Sequence, residues 1–219
     1  HLSAEGFEEA PLPLGFEAAG RERLSYLQGL VSHAPEHWAD VGRLHEGARL
    51  LRRLHDVSRR FERREDDVWG FEHGDGDVLC HNDFAPYNLV LRDGCVAGVI
   101  DFDLLGPGPA LSDLGYFANW TVPLSFAAAD LVALTEADLE RGHARLKAVA
   151  AAYGTRDFAG LLRGALDMLT HLGDDAAAER LFGGDVRDTL EADGHFAHWR
   201  AEAEAFAVNW QKAFRSVLK

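Results

Sequence analysis

Residues 80–113 read CHNDFAPYNLVLRDGCVAGVIDFDLLGPGPALSD, and this stretch decides the fold. It contains two short apolar runs, Leu89-Val90-Leu91 and Cys95 to Ile100, which have the composition of β-strands. Between the runs, Arg92-Asp93-Gly94 supplies the residues that a tight turn requires. The stretch therefore predicts a β-hairpin with polar clusters on both sides.

The register of this hairpin decides which polar side chains meet. If Leu91 pairs with Val96, Asn88 faces Val99 across the ladder. Asn88 and Asp101 then lie together at the open end of the hairpin, where the first strand begins and the second ends.

The polar residues of the stretch have the composition of a metal-assisted site. His81, Asp83 and Asn88 form an H-x-D-x-x-x-x-N pattern, and Asp101 and Asp103 follow in IDFD. Carboxylates and an amide oxygen are the hard ligands that Mg²⁺ prefers. Asp83 lies one loop further out, free to accept a proton from an attacking hydroxyl. Phosphoryl transfer divides its work in this way between a metal site and a positioned base.

Each motif alone also has an ordinary structural explanation. DFAPYN is rich in turn-forming residues, and Asp101 to Asp103 could be a solvated strand end. The combination favours function, because Asp101 directly follows an apolar strand, where an unpaired charge is costly. His81 is expected to orient the loop through a backbone hydrogen bond rather than to take part in the chemistry.

Taken together, the motifs resemble the catalytic core of the aminoglycoside phosphotransferase and choline kinase group of small-molecule kinases, which share the protein-kinase-like fold. HNDFAPYN, IDFD and GPGPALSDL occur in the order and at the spacing of that group. The resemblance implies Asp83 as catalytic base, Asn88 and Asp101 as metal ligands, and Asp103 as an auxiliary ligand. It also implies that Asp113, like His81, supports the catalytic loop, and that the cofactors are Mg²⁺ and ATP or GTP.

The composition narrows the class of protein. With 219 residues, 47% of them hydrophobic, the chain is long enough for a sizeable core and too apolar to be disordered. It has no apolar run of ~18 residues and no signal-peptide pattern, so no membrane association is expected. The net charge of −14 argues against nucleic acid as a partner. Cys80 and Cys95 fit no zinc pattern, so free thiols and a cytoplasmic location are expected.

The segment before the first long helix is predicted to be a small β-structure. Residues 10–29 favour two strands with a turn near Ala18-Ala19-Gly20. The resemblance assigns residues 1–29 to the end of an N-terminal lobe and residues 30–219 to the C-terminal catalytic and substrate-binding lobe. Ser25, Tyr26 and Leu27 would then be the hinge that meets a nucleotide base. An ordinary strand core is the alternative for Tyr26 and Leu27.

The rest of the chain is predicted to be mainly helical, which makes the fold class α+β. Residues 33–61 carry a helical apolar pattern and a basic face, interpreted as solvated, and His55 is interpreted as a packing residue. The GPGP segment after Asp103 is expected to form no regular element. Further helices are predicted over residues 111–120, 135–153, 157–172 and 196–218. The aromatic residues of the last one are expected to be core: Trp199, Phe206, Trp210 and Phe214.

A complete kinase of this group also needs a phosphate-covering loop, a strand cation for the α- and β-phosphates and a helix glutamate that holds this cation, and in the family these precede the hinge. No G-x-G-x-x-G occurs before Ser25, and no lysine occurs before Lys147. We therefore expect the large lobe with only the last part of the small one, and poor phosphate transfer by these 219 residues alone. The first hypothesis is a phosphotransferase acting on a small hydroxyl compound. A kinase-like binding protein without activity is the alternative.

A metal-dependent hydrolase built on His81, Asp83 and Asp101 is a third hypothesis, disfavoured because Asn88 replaces a strong third ligand.

Only the charge of the sequence gives an indication of the chemistry of the acceptor. Residues 164–204 contain ten acids and three arginines. This segment follows the catalytic core, and a cleft of one sign attracts ligands of the other. An acceptor with an amine or quaternary ammonium is therefore one hypothesis, and simple solubility is the alternative.

Overall fold

The computed structural model describes residues 1–18, 20–32, 34–71, 74, 76–122, 124–127 and 135–219. The β-strands are β1 (Pro13–Phe16), β2 (Glu22–Leu24), β3 (Leu30–Val31), β4 (Val78–Cys80), β5 (Leu89–Arg92), β6 (Cys95–Val99) and β7 (Gly106–Gly108). The α-helices are α1 (Val41–Ser58), α2 (Ala110–Thr121), α3 (Glu136–Tyr153), α4 (Phe158–Leu172), α5 (Asp175–Phe182), α6 (Gly184–Ala192) and α7 (His195–Ala213). Helices surround small sheets, as predicted for the α+β class.

The predicted hairpin is confirmed as β5 and β6, with one correction to its register. Asp93 and Gly94 have φ angles of 53° and 83°, which a two-residue hairpin turn requires. Leu91 pairs with Val96 as predicted, but a bulge next to it shifts the ladder by one residue. Asn88 therefore lies opposite Ile100, not Val99, and its carbonyl accepts a hydrogen bond from Ile100 N at 2.9 Å.

The hairpin is extended on both edges by segments from the N-terminal part of the chain. On one side β3 pairs antiparallel with β5. On the other side Val99 N donates to Glu9 O at 2.8 Å. Further out, β1 and β2 form the predicted antiparallel pair, with Gly20 N donating to Glu17 O in the turn. Ala19, which the turn prediction included, lies outside the described residues.

The prediction that GPGP forms no regular element is wrong. Gly106–Gly108 is strand β7, which pairs antiparallel with β4, and Pro107 lies opposite Leu79. Proline is tolerated there because this sheet has only two strands, so each has a free edge. Gly106 is also required sterically, because a Cβ on it would lie 1.6 Å from Phe71 O.

Helix α1 is shorter than the predicted 33–61. It begins after Asp40, whose Oδ1 accepts from Gly42 N at 2.8 Å, and it ends at Ser58. Residues 35–37 form a separate 3₁₀ turn, and His33 lies outside the described residues. The predicted apolar stripe is buried at Leu44, Ala48, Leu51 and Leu54, whereas Val41 is 40% exposed.

The basic face of α1 is exposed but paired. Four arginines on α1 or directly after it pair with acidic groups: Arg52 with Asp56, Arg53 with Glu9, Arg59 with Asp56 and Asp77, and Arg60 with Glu5. This agrees with a solvated face rather than an anion site.

The predicted C-terminal helices are confirmed, with shifted ends for the last one. Thr135 and Asp138 form the capping box that starts α3, and Gly154 ends it. Asp157 caps α4. The final helix, α7, covers residues 195–213 instead of 196–218. Within the described part of the chain, no helix is long and apolar enough to cross a membrane.

Helices α2 and α4 pack very closely, and Gly115 makes this possible. A Cβ at Gly115 would lie 2.3 Å from Ala165 N and 2.7 Å from Leu161 O. We expect Gly115→Ala to lower the free energy of unfolding by about 1–3 kcal/mol, because backbone cannot move aside cheaply. Gly184→Ala is the control, since its Cβ would meet no atom within 4 Å. Urea denaturation of both variants measures the difference, and equal stability would contradict this packing.

Candidate active site

A buried carboxylate on α2, that of Asp113, holds the loop that precedes β5 in place. Asp113 is fully buried. It accepts hydrogen bonds from His81 N at 2.7 Å and from Asn82 N at 2.9 Å. Asn82 has a φ of 63°, a left-handed conformation, and this turn directs the two successive N–H groups at the same carboxylate. These contacts are those that a support role for Asp113 requires.

A second set of contacts fixes Asp113 from α1. His55 Nε2 lies 3.0 Å from Asp113 Oδ2, and His55 Nδ1 lies 2.7 Å from the hydroxyl of Tyr153. Burial alone would raise the pKa of Asp113, but the hydrogen bond and charge of His55, with further contributions from His81, hold that pKa below its usual range. His55 is therefore buried as predicted and also part of a polar network.

His81 uses both ring nitrogens to shape the loop. Its Nδ1 accepts from Asp83 N at 3.3 Å. Its Nε2 lies 3.0 Å from Ile100 O, and because a carbonyl can only accept, Nε2 donates. The ring is fully buried. No ring nitrogen of His81 remains for a metal, which removes one ligand from the hydrolase hypothesis.

Two neighbours in the same loop donate hydrogen bonds to the carboxylate of Asp83. Tyr87 donates its hydroxyl hydrogen to Asp83 Oδ1 at 2.5 Å, and Asn88 Nδ2 donates to Asp83 Oδ2 at 2.8 Å. Asn88 Nδ2 also contacts Asp83 O at 2.9 Å. Burial raises the pKa of Asp83, while the hydrogen bonds from Tyr87 and Asn88 oppose the rise. A partly desolvated, oriented carboxylate of this kind suits a general base.

Tyr87 and Tyr116 belong to the site, and the sequence analysis missed both. Their hydroxyl oxygens lie 2.8 Å apart. Because Tyr87 has already given its hydrogen to Asp83, Tyr116 must be the donor to Tyr87. The Tyr87 ring packs edge-to-face on Trp120, with centroids 5.1 Å apart. The position of Tyr87, four residues after Asp83 and next to Asn88, was the available signal.

Three oxygen-bearing side chains near the open end of the hairpin are the candidate ligands for a hard cation: Asn88, Asp101 and Asp103. Asn88 is 5% exposed, and its Oδ1 has no hydrogen-bond partner among the described residues, since Nδ2 makes the bonds to Asp83. Asp101 and Asp103 are exposed. An amide oxygen with two carboxylates is a donor set that fits Mg²⁺.

Asp101 was expected to be costly as an unpaired charge directly after an apolar strand, but it is exposed. Its carboxylate is therefore not buried behind the strand. Its backbone is unusual instead, with a φ of 67°. Non-glycine residues in this region are uncommon and concentrate at functional sites.

The residues predicted to form the hinge lie beside the hairpin. Ser25 N donates to Leu12 O, and Leu12 N donates to Ser25 Oγ, each at 2.8 Å. Tyr26 is 83% exposed, so the strand-core alternative is wrong for it. Leu27 packs on β6, where a Cβ at Gly98 would lie 3.0 Å from Leu27 Cδ1. This places the segment near the strand that leads to Asp101.

A cavity of about 300 Å³ adjoins Asp83. Its lining includes the loop and the aromatic faces of α2 and α7, with Asp83, Tyr87, Tyr116, Trp120, Phe196 and Trp199. The prediction of core aromatics on α7 is confirmed for Phe206, Trp210 and Phe214. It is incomplete for Trp199, which packs against the core and also lines the cavity. Sequence periodicity cannot separate these two surroundings.

The H-x-D-x-x-x-x-N loop, the hairpin and the surrounding helices together form an α+β arrangement of the protein-kinase-like kind. The chain belongs to the phosphotransferase enzyme family, whose family model matches residues 11–149. The predicted family and fold class are thereby confirmed.

Individual relatives show how far the similarity extends. The trifolitoxin immunity protein of Rhizobium leguminosarum bv. trifolii is 40% identical over 114 residues, which cover 49% of this chain. The match covers 43% of that relative, so the chain spans less than half of its length. An ethanolamine kinase of Plasmodium vivax superposes with a TM-score of 0.56 at 13% identity, covering 99% of this chain and 72% of that one.

A second solved structure is more distant. The macrolide 2′-phosphotransferase MphH of Brachybacterium faecium, an apoenzyme, has a TM-score of 0.36 at 19% identity, with coverage of 90% and 66%. The likeness to the ethanolamine kinase, at 13% identity, concerns the fold.

Proposed function

We propose that this protein transfers the γ-phosphate of ATP or GTP to a hydroxyl of a small molecule in a Mg²⁺-dependent reaction. The observation that supports this most directly is the side chain of Asn88. Its Nδ2 orients the carboxylate of Asp83, its Oδ1 makes no hydrogen bond among the described residues, and its backbone O accepts from Ile100 N, one residue before Asp101. One side chain thus joins a positioned base to a set of metal ligands, as phosphoryl transfer requires.

The hydrogen bonds of the loop support separate roles for its residues. Asp83 accepts the proton of the attacking hydroxyl, and Tyr87 and Asn88 keep its two oxygens in place. Asn88 and Asp101 would hold Mg²⁺, with Asp103 as an auxiliary ligand. When bound, the metal supplies charge neutralisation to the phosphate groups. His81 and Asp113 keep the loop in shape.

The nucleotide is proposed to lie against the hairpin. Ser25, Tyr26 and Leu27 would contact its base, with residues 1–29 as the end of an N-terminal lobe and residues 30–219 as the catalytic lobe. The high exposure of Tyr26 supports this, because an uncovered aromatic ring is available to stack on a base.

A kinase-like binding protein without activity is the second candidate function. The specific observation in its favour is that residues 1–219 contain no G-x-G-x-x-G before Ser25 and no lysine before Lys147, so these residues by themselves do not supply either group. Those groups normally position the phosphates, and positioning supplies most of the catalysis in this chemistry.

Two measurements on the 219-residue chain separate these candidates. Calorimetric titration with Mg²⁺–ATP and Mg²⁺–GTP measures binding, and ³¹P NMR follows phosphate transfer to a panel of small alcohols and amino alcohols. Binding with any detectable transfer, however slow, supports the phosphotransferase, and binding with no detectable transfer supports the second candidate. Absence of Mg²⁺-dependent nucleotide binding would reject both.

Asp101 provides a sharper test of the metal site. We expect Asp101→Ala to weaken Mg²⁺–nucleotide binding by about tenfold or more, because a charged ligand is lost. Asp93→Ala is a matched control on the same hairpin. Both residues have positive φ angles, 67° and 53°, so the backbone cost of alanine is similar. Calorimetry should show a change of less than about twofold for Asp93→Ala, and equal losses would remove Asp101 from the site.

A further inference from the structure

The cavity beside Asp83 limits what the acceptor can be. It has a volume of about 300 Å³, within the range of small-molecule sites, and Asp83, the proposed base, lies in its wall. An acceptor whose hydroxyl meets Asp83 must therefore place the rest of its body in this cavity.

Most of the remaining wall is apolar. Helices α4 to α7 contribute, among other residues, Met168, Leu172, Leu181, Phe182, Leu190 and Phe196. No lysine or arginine is among the described residues that line it. His195 also lines the cavity, and burial lowers its pKa, with a further contribution from His198, so its ring favours the neutral form.

The acidic residues of segment 164–204 are directed elsewhere. Of its ten acids, the described cavity lining includes only Asp174. Its Oδ1 is already engaged, because it accepts from Ala176 N at 3.0 Å and from Ala177 N at 3.2 Å as the cap of α5.

Other acids of the segment are paired within the protein. Asp175 and Asp188 both pair with Arg187. Glu202 is buried and accepts from Ser125 Oγ at 2.7 Å. Nine of the ten acids on which the charge argument rested therefore lie outside the described lining of the cavity.

We propose that the acceptor is a small alcohol with a neutral, apolar or aromatic body that fills the cavity between α2, α5 and α7. This inference rests on the proposed function, which identifies Asp83 as the group that meets the hydroxyl. A polycation would leave most of its ammonium groups against hydrocarbon, where an unpaired charge is costly. An apolar body gains affinity with every methylene that leaves water.

Calorimetric titration of the 219-residue chain with butanol, hexanol and octanol tests this without requiring turnover. The dissociation constant should fall by about fourfold per added methylene, until the chain exceeds the cavity. Choline and kanamycin are the cationic probes, and both should bind more weakly than octanol. Tighter binding of either cation, or no dependence on chain length, would overturn the proposal.

Two substitutions on α5 locate the binding. Ala178 is buried in the cavity wall, and Ala176 is exposed on the same helix. Ala178→Phe should weaken octanol binding at least about tenfold by filling space, whereas Ala176→Phe should change it less than twofold. Ala178→Leu is a milder form if melting curves show that the phenylalanine variant is unstable.

Equal effects at the two positions would place the alcohol elsewhere and reject the inference. Failure of the proposed function is visible separately. Octanol bound in the cavity of a chain that shows no Mg²⁺-dependent nucleotide binding would reject the phosphotransferase and keep the class of occupant.

Discussion

Replacing Asp83 with asparagine is expected to lower kcat by about 100-fold or more while Mg²⁺–nucleotide affinity stays nearly unchanged. A general base contributes typically this much, and asparagine cannot take a proton from the acceptor hydroxyl. The variant keeps the size of the side chain, and its amide oxygen can still accept from Tyr87. The measurement is steady-state kinetics, in a preparation that transfers phosphate, together with calorimetric titration of the nucleotide.

The comparison with Asp101→Ala decides whether the two roles are separate. Asp101→Ala should change nucleotide affinity, and Asp83→Asn should change the catalytic step. Asp93→Asn, at the turn of the same hairpin, is the control. Asp93 is proposed for neither role, so this variant should leave nucleotide affinity and kcat unchanged. Equal losses of nucleotide affinity in the Asp83 and Asp101 variants would show that the division of labour is wrong.

Substituting Asp113 by alanine is expected to lower the free energy of unfolding by about 3–5 kcal/mol. The change leaves three donors without their acceptor, from His55, His81 and Asn82, inside the protein. Removing one partner of a buried polar network typically costs this much. Urea denaturation monitored by circular dichroism measures the loss.

Asp77→Ala is the matched control, because its pair with Arg59 is exposed and should be worth less than about 1 kcal/mol.

The dependence of the free energy of unfolding on pH provides an independent measurement. The pKa of Asp113 is lowered in the folded state, so its contribution is present above the unfolded pKa of about 4 and lost as pH falls through the folded value. A loss for Asp113→Ala as small as that of the control would contradict the network.

The parts of the fold that sequence predicts are those fixed by neighbouring residues. The capping box at Thr135 and Asp138 and the cap at Asp157 depend on residues three apart, and both helices start where predicted. The hairpin turn at Asp93 and Gly94 is equally local. The catalytic loop was also visible, because its pattern spans only eight residues.

The parts that sequence did not predict depend on distant contacts. The strand at 106–108 exists because it pairs with β4, which overrides the local preference of glycine and proline. The register shift at Asn88 arises from a bulge with no signal in the residue types. The bond from Tyr116 to Tyr87 joins two helical segments, and the cavity is visible only when α2 and α7 are placed together.

The anchoring of the loop by Asp113 has a consequence for synthesis on the ribosome. Residues 81–88 leave the ribosome before the helix that holds them, and α2 in turn packs on α4, which ends at Leu172. A nascent chain that stops short of α4 would contain the complete H-x-D-x-x-x-x-N pattern without the groups that give it shape. Contacts between residues far apart in sequence form late, since a long loop must first close. This loop is therefore expected to acquire its native geometry only after α4 has been synthesised, although its own residues emerge much earlier.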